Sequence, residues 1–252
     1  MALIKNKIPI LEYDPSQTAV FMPGSERNFP EYAVFPFLAD EVEKFVKQEN
    51  ARQIGSYISA TKVFPICEIE YGGRPVCLCQ APVGSAPAVQ LLDYLIGNGC
   101  SKIISAGSCG ALQPFNENEF LIPTEALRCE GASYHYLPPS RTVKQNPAAV
   151  SAIERALRKN NIRYETCKTW TTDGFYRETK DMVEYRKAEG FSVVEMECAA
   201  LFACAQFRNA VFGQFLFTAD TLADSNAYLE RGWGLQSFPI ALKLCLDAVL
   251  EL

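Results

Sequence analysis

Short runs rich in β-branched and aromatic residues alternate along this chain with longer segments whose apolar residues recur at helical spacing. This alternation constrains the fold strongly, because alternating strands and helices pack as a mostly buried sheet covered by helices. The pattern predicts strands over residues 74–81, 102–106, 119–123, 164–171, 191–196 and 211–219. It predicts helices over residues 86–97, 147–159, 178–189, 198–207 and 236–250. We therefore expect an α/β protein. No repeat, linker or low-complexity tract interrupts the 252 residues, so we expect one domain over 1–252.

Charge and cysteine content exclude several classes of function. A net charge of −5 gives no basic footprint for nucleic acid. Ten cysteines without a Cys-x-x-Cys pair, and His135 as the single histidine, do not form a metal-binding pattern. We expect reduced, mostly buried thiols instead. Since we recognise neither a signal peptide nor an apolar run long enough to span a membrane, we expect a cytoplasmic protein with no membrane partner.

The stretch IISAGSCGALQ, residues 103–113, concentrates small residues at the end of a predicted strand. We expect a turn there whose backbone comes close to a ligand. Serine hydroxyls and backbone N–H groups in such a turn form a cradle for an anion. The stretch contains no Lys or Arg, so a cation that neutralises the anion has to come from elsewhere in the chain or from a partner.

Eight segments follow one another in a characteristic order: PILEYDP (9–15), MPG (22–24), APVGSAPAVQLLDYLIGNG (81–99), SAGSCGALQP (105–114), EGASYHYLPP (130–139), TWTTDGFYRE (169–178), VVEMECAAL (193–201) and TADTLAD (218–224). Together they resemble the nucleoside phosphorylase superfamily, in the branch of bacterial purine nucleoside and uridine phosphorylases, over nearly the whole chain. The resemblance implies a three-layer α/β/α sandwich around a mixed sheet. It also implies a homo-oligomer, a dimer or a trimer of dimers, with sites at subunit interfaces.

The same resemblance implies an activity: cleavage of a nucleoside by inorganic phosphate to a free base and ribose 1-phosphate. Phosphate is then a co-substrate, and no metal or organic cofactor is needed. Met196 and Glu197 correspond to the pair that holds the ribose. A carboxylate flanked by apolar residues, as Glu197 is, is costly to bury unless it has a use, although a helix N-terminus also favours a Glu. Glu195 is expected to point away and to be structural.

Three residues are expected to contact the base of the nucleoside. Asp220 closes an apolar predicted strand, and in the purine-cleaving branch an Asp here gives a proton to the departing base, which requires burial to keep it protonated. Alternatively, Asp220 only begins a turn. Asp224, in the same predicted turn, is a second candidate for the proton donor. Phe175 and Tyr176 stand where the superfamily stacks an aromatic on the base. The Gln and Arg with which uridine-specific members read uracil do not follow them, which favours purines.

Phosphate binding is expected from Gly24, Arg27, Lys62, Gly107 and Ser108. Lys62 is placed by counting back from the Gly-Arg turn YGGRP, and the resemblance implies that a neighbouring subunit supplies it. The chain departs from the pattern in one respect. Phosphate-using members usually carry an Arg two residues before the Gly of the central stretch, and Ser105 stands there.

Besides a uridine phosphorylase, which the same resemblance allows, three alternatives remain open at this point. A nucleosidase that uses water lacks this Arg and needs a general base, for which Glu26 is the local candidate. A cysteine hydrolase would use Cys109 as its nucleophile with His135 as activating base. A relative that binds nucleosides without turning them over is the third.

Overall fold

The computed structural model describes residues 3–24 and 28–252. Its strands are β1 (Tyr32–Val34), β2 (Arg52–Ile58), β3 (Val63–Tyr71), β4 (Arg74–Leu78), β5 (Lys102–Ala111), β6 (Phe120–Cys129), β7 (Thr142–Lys144), β8 (Tyr164–Thr172), β9 (Val193–Glu195) and β10 (Val211–Thr221). Its α-helices are α1 (Glu41–Gln48), α2 (Ser85–Gly97), α3 (Pro147–Lys159), α4 (Lys180–Ala188), α5 (Cys198–Phe207) and α6 (Phe238–Val249). All five helices predicted from the sequence are present. The hairpin of β2 and β3 was not predicted.

The strands form one mixed sheet in the order β10-β6-β8-β9-β5-β1-β4-β3-β2, with β7 paired to β6. The sheet also closes on itself, because β10 pairs with β5 in parallel and with β6 in antiparallel register. Five strands, β10, β6, β8, β9 and β5, therefore form a ring at one end of the sheet. The expected α/β fold with a mixed central sheet is confirmed, and the closure of the sheet is an addition that the sequence pattern did not indicate.

Helices cover the sheet on both faces, as the central strand β5 illustrates. Ile103 packs in the cluster that contains the apolar side chains of α2 and α5, whereas its neighbour Ile104 packs in the cluster that contains those of α3 and α6. Successive side chains of a strand point to opposite faces, so a strand buried on both faces reads as continuously apolar. Nine of the ten cysteines are buried, as expected, and only Cys129 is exposed.

Strand β5 corrects one prediction. The small residues that follow Ile104 were expected to form a turn, but β5 continues through them to Ala111. Their backbone pairs with β10 along one edge, and Gly110 and Ala111 pair with β9 along the other. Small side chains permit this because the ring of strands is tightly closed here. A β-carbon on Gly110 would lie 3.0 Å from side-chain atoms of both Leu222 and Val194.

Within residues 3–24 and 28–252, no helix combines the length and the apolar character that crossing a membrane requires.

Candidate active site

A cavity of about 310 Å³ opens where β5, β9 and β10 end, in the size range of small-molecule sites. Strands β5 and β10 are parallel, so their carboxyl ends lie at one edge of the sheet, the edge at which α/β proteins bind ligands. The cavity wall includes six of the residues predicted from the sequence: Gly107, Ser108, Phe175, Met196, Glu197 and Asp220. These residues are spread over more than 110 positions of the chain, and the fold brings them together.

Ser108 is the exposed residue of β5, since its neighbours from Ile103 to Ala111 are all buried. Ser108 lines the cavity, so its hydroxyl can serve as a donor of an anion cradle there. Ser105 behaves differently. It is fully buried, and its hydroxyl donates a hydrogen bond of 2.7 Å to the carbonyl oxygen of Phe35. Ser105 is thus committed to the sheet and does not line the cavity.

Glu195 and Glu197 are both buried, but they have different partners. The carboxylate of Glu195 accepts the backbone N–H groups of Glu197 and Cys198 at 2.7 and 2.6 Å, and also the hydroxyls of Thr169 and Thr171. It satisfies the N-terminus of α5, as an acidic residue there is suited to do. Glu195 thus makes structural hydrogen bonds, but the expectation that it points away is wrong, because it forms part of the cavity wall.

Glu197 makes no hydrogen bond of this capping kind. One oxygen of its carboxylate accepts the N–H of Gly84 at 2.6 Å, and the side chain lines the cavity. Burial, and after it the negative charge of Glu195, raises the pKa of Glu197 to about 8. A carboxyl group held in this way can accept or share hydrogen bonds with the hydroxyls of a bound sugar. Met196, half-buried, lies beside it in the same wall.

At the other end of the cavity Asp220 is 5% exposed, and burial raises its pKa, against the opposing effect of a hydrogen bond from Tyr228. Its rival Asp224 lies outside this cavity. Asp224 is exposed, and its side chain accepts the N–H of Asn226 at 2.9 Å, as the first residue of a turn. Of the two aspartates, Asp220 is the one whose burial favours the protonated form that a proton donor needs.

Two residues of this end were missed by sequence reasoning. Glu178 lines the cavity together with Asp220, and burial, then the charge of Asp220, raises its pKa to about 7. Trp233 also lines the cavity, and its indole N–H donates to Glu230 at 2.9 Å. The sequence signal for Glu178 is its position two residues after Tyr176 in TTDGFYRE, directly after the aromatic residues expected to stack on the base. The signal for Trp233 was a tryptophan between two glycines.

Of the two aromatic residues expected to stack on the base, only one lines the first cavity. Phe175 lines the cavity, and Tyr176 packs edge-on against it at a centroid distance of 5.0 Å. Tyr176 itself is 92% exposed and lines only a second, adjoining cavity, which shares Phe175, Glu178, Asp220 and Trp233 with the first. The structure therefore puts Phe175 and Trp233 in the wall of the first cavity, and not Tyr176.

Two further residues predicted to bind phosphate, Lys62 and Gly24, lie outside the wall of this cavity. Lys62 is exposed at the tip of the β2–β3 hairpin, over the ring of Phe64 at 5.2 Å. It lines a neighbouring groove whose wall continues into the cavity through Ala39, Gln80 and Val83. Gly24 is exposed and is not part of the cavity wall. Arg27, and the alternative base Glu26, fall outside the described residues.

The wall of the cavity is acidic. Over the described part of the chain it contains four carboxyl groups, those of Glu178, Glu195, Glu197 and Asp220, and no lysine or arginine. The cysteine-hydrolase alternative finds no support here. Burial raises the pKa of the Cys109 thiol well above its ordinary range, and His135 is exposed and not part of the cavity wall.

The sequence of this chain matches a known family. The family model described as "Phosphorylase superfamily" matches residues 31–251. The chain belongs to this superfamily. Among curated relatives, the uridine phosphorylase of Haemophilus influenzae is 26% identical over 145 residues, covering 57% of this chain and 56% of that protein. The guanosine phosphorylase of Halorubrum lacusprofundi is 24% identical over 150 residues, covering 59% and 62%. The chain thus spans less than two thirds of the length of these two relatives.

Solved structures of superfamily members share the fold. The uridine phosphorylase of Vibrio fischeri superposes with a TM-score of 0.78 at 20% identity, covering 94% of this chain and all of that chain. The AMP nucleosidase of Bacteroides thetaiotaomicron superposes with a TM-score of 0.72 at 22% identity, covering 88% of each chain. At this level of identity these likenesses show the fold, and the choice of substrate depends on the site of this superfamily member itself.

Proposed function

We propose that this phosphorylase-superfamily chain is a nucleoside phosphorylase that cleaves the N-glycosidic bond of purine nucleosides with inorganic phosphate. One observation carries the proposal: Glu197 and Ser108 line the same cavity as the pair Asp220 and Glu178, and of these four residues only the pair is shared with the adjoining cavity. In the proposed complex a nucleoside has its ribose at Glu197 and its base at Asp220.

The chemistry asked of each residue follows from the bond that breaks. The pair of electrons of the bond between the anomeric carbon and the base leaves with the base, so the ribosyl group becomes cation-like. Asp220, protonated, gives its proton to the purine ring and makes the base a neutral leaving group. An oxygen of phosphate then bonds to the anomeric carbon and gives ribose 1-phosphate. Glu197 holds the ribose hydroxyls, so that the reacting atoms stay in line.

The base end supports a purine. Uracil presents carbonyl oxygens on both sides of its ring N–H, and the carboxyl group of Glu178 repels these oxygens when it is ionised. Purine rings offer ring nitrogens that take a proton and N–H groups that donate to a carboxylate. Phe175 and Trp233 supply aromatic surface against which a purine can stack.

The cavity wall is acidic, so the binding of phosphate there requires a positively charged group. We infer that a second copy of this chain supplies it. Lys62 is exposed, and it makes no salt bridge among the described residues, so its charge is available to a site on a second copy. Lys62 carries a point charge on a flexible stem, so it binds phosphate without the paired geometry of an arginine. The active species is then a homo-oligomer with shared sites.

Hydrolysis by water is the second candidate, favoured by the same lack of a described cation in the cavity wall. Base release from inosine, adenosine, uridine and methylthioadenosine, each with and without phosphate, separates the two. We expect release of purine bases that depends on phosphate. Equal release without phosphate would indicate a nucleosidase, and nucleoside binding with no release under any condition would indicate a non-catalytic relative.

A further inference from the structure

The position at which phosphate-using relatives usually carry an arginine is occupied by Ser105, whose hydroxyl is bonded to the carbonyl oxygen of Phe35. Ser105 is fully buried and too short to reach past Gly107. Residues two apart on a strand point to the same face of the sheet. A long side chain at position 105 would therefore lie over Gly107, which has no side chain, and would extend towards the cavity. In this chain some other side chain has to fill that space.

Gln214 fills it. It lies on β10 directly beside Ser105, because these two residues are partners in the parallel pairing of β10 with β5. A β-carbon on Gly107 would lie 3.3 Å from the Nε2 atom of Gln214 and 3.4 Å from the ring of Phe37. Both Gly107 and Phe37 line the cavity. Gln214 is not itself a lining residue, and its carboxamide lies directly behind Gly107, which is one.

The amide of Gln214 is also incompletely bonded. The residue is 1% exposed, and its Oε1 atom is buried without a hydrogen-bond partner in the part of the chain that the structure describes. Its backbone N–H, by contrast, is satisfied by the side-chain oxygen of Gln145 at 2.7 Å. A buried amide oxygen without a partner costs about 1–3 kcal/mol, so such a group in a native protein needs a partner, which is an ordered water, an ion or a ligand.

We propose that Gln214 binds the phosphate co-substrate through its carboxamide, in place of the arginine that relatives carry at position 105. The inference rests on the proposed phosphorolysis. An amide carries both a donor and an acceptor. Phosphate near neutral pH still carries a P–OH group, so its bare oxygen accepts from the amide NH₂ and its P–OH donates to Oε1. A guanidinium has donors only and cannot use the P–OH. Sulfate has no O–H near neutral pH and cannot satisfy Oε1.

The test compares Gln214→Leu with Ser105→Ala, which changes the neighbouring position while leaving the amide in place. Steady-state kinetics give separate KM values for phosphate and nucleoside, and calorimetry gives the Kd of inorganic phosphate and of sulfate for the resting enzyme. We expect Gln214→Leu to raise the KM and Kd for phosphate about tenfold, as the loss of one good hydrogen bond to an ion does, and to change the nucleoside KM less than about twofold. Ser105→Ala should leave both KM values near those of the wild type.

The outcomes separate this inference from the proposed function. Base release that needs no phosphate in the wild type would overturn phosphorolysis, and Gln214 as a co-substrate ligand with it. Phosphate-dependent release with an unchanged phosphate KM in Gln214→Leu would overturn the role of Gln214 alone. Equal loss of phosphate and sulfate affinity would overturn the role of the P–OH group. Should Gln214→Leu not fold, Gln214→Met gives the same test, because it keeps the length of the side chain and removes both the donor and the acceptor.

Discussion

The carboxylate of Glu195 accepts the backbone N–H of Glu197 at 2.7 Å, so one glutamate of the VVEME segment holds the other in place. Glu195 accepts the free N–H groups at the start of α5, and the carboxyl group of Glu197 instead lines the cavity, where it accepts the N–H of Gly84. Two residues of the same type, two positions apart, therefore have separate tasks.

This division predicts opposite effects of two alanine variants. Glu195→Ala leaves two backbone N–H groups and two threonine hydroxyls without their acceptor, so we expect a loss of about 2–4 kcal/mol in the free energy of unfolding. Glu197→Ala should lower kcat/KM on the order of 100-fold, because the ribose is no longer held in line, with a smaller loss of stability. Urea denaturation and steady-state kinetics measure the two effects. A reversed pattern would contradict the assignment.

Glu197 also predicts a pH dependence of stability. Burial and the charge of Glu195 raise its pKa to about 8, above its ordinary value of 4.5. Between these two pH values the folded protein holds a proton that the unfolded chain has lost, so the free energy of unfolding falls as the pH rises through this window. Glu197→Gln stays neutral. We expect it to be more stable than the wild type by about 2–4 kcal/mol near pH 9, and equally stable near pH 4. Denaturation at the two pH values checks this, and a pH-independent difference would contradict it.

Asp220 as proton donor predicts a dependence on the leaving group. Asp220→Asn cannot give a proton to the base, so kcat for inosine should fall on the order of 100-fold or more. The base of 7-methylguanosine already carries a positive charge and leaves without protonation, so this substrate should lose far less activity. Rates with both nucleosides, measured on the same preparation, test the role. Equal losses would show that Asp220 positions the base without protonating it.

Two glycines offer a matched comparison between the site and the core. A β-carbon on Gly110 would lie 3.2 Å from a carboxylate oxygen of Asp220, so Gly110→Ala should displace that carboxyl and lower kcat. A β-carbon on Gly213 would lie 2.6 Å from that of Ala149 in α3, far too close for packed atoms. Gly213→Ala should cost about 1–3 kcal/mol of stability by overpacking, with KM values near those of the wild type. Thermal unfolding and kinetics distinguish the two.

Lys62 supplied by a neighbouring subunit predicts complementation. Lys62→Ala alone should raise the KM for phosphate, and Asp220→Asn alone should lower kcat. Co-expression of the two variants yields mixed oligomers in which some sites pair an intact Asp220 with an intact Lys62 from the partner. We expect activity above that of either variant. An activity no higher than the average of the two variants would mean that Lys62 acts within its own chain, and an unchanged phosphate KM in Lys62→Ala would remove it from the site altogether.

Much of the fold was predictable from periodicity. The predicted bounds of α3 and α5, 147–159 and 198–207, agree with the structure because their apolar faces and their breakers are local. The β2–β3 hairpin was missed, since β2 has no buried residue and so lacks the apolar alternation that marks a strand. The small residues of β5 were read as a turn because small size signals a loop in a sequence, whereas here it permits close pairing with β10 and β9.

The sequence by itself determined the α/β fold, the superfamily and the cavity positions of Ser108, Glu197 and Asp220, because residue type and order carry these. Only the tertiary structure showed the hydrogen bonds by which Glu195 caps α5. It also placed Glu178 and Trp233 in the same cavity wall as Phe175, and the side chain of Gln214 next to Gly107. The physical reason is that these roles depend on distances between strands far apart in the chain. Gln214 and Gly107 are neighbours only because β10 pairs with β5.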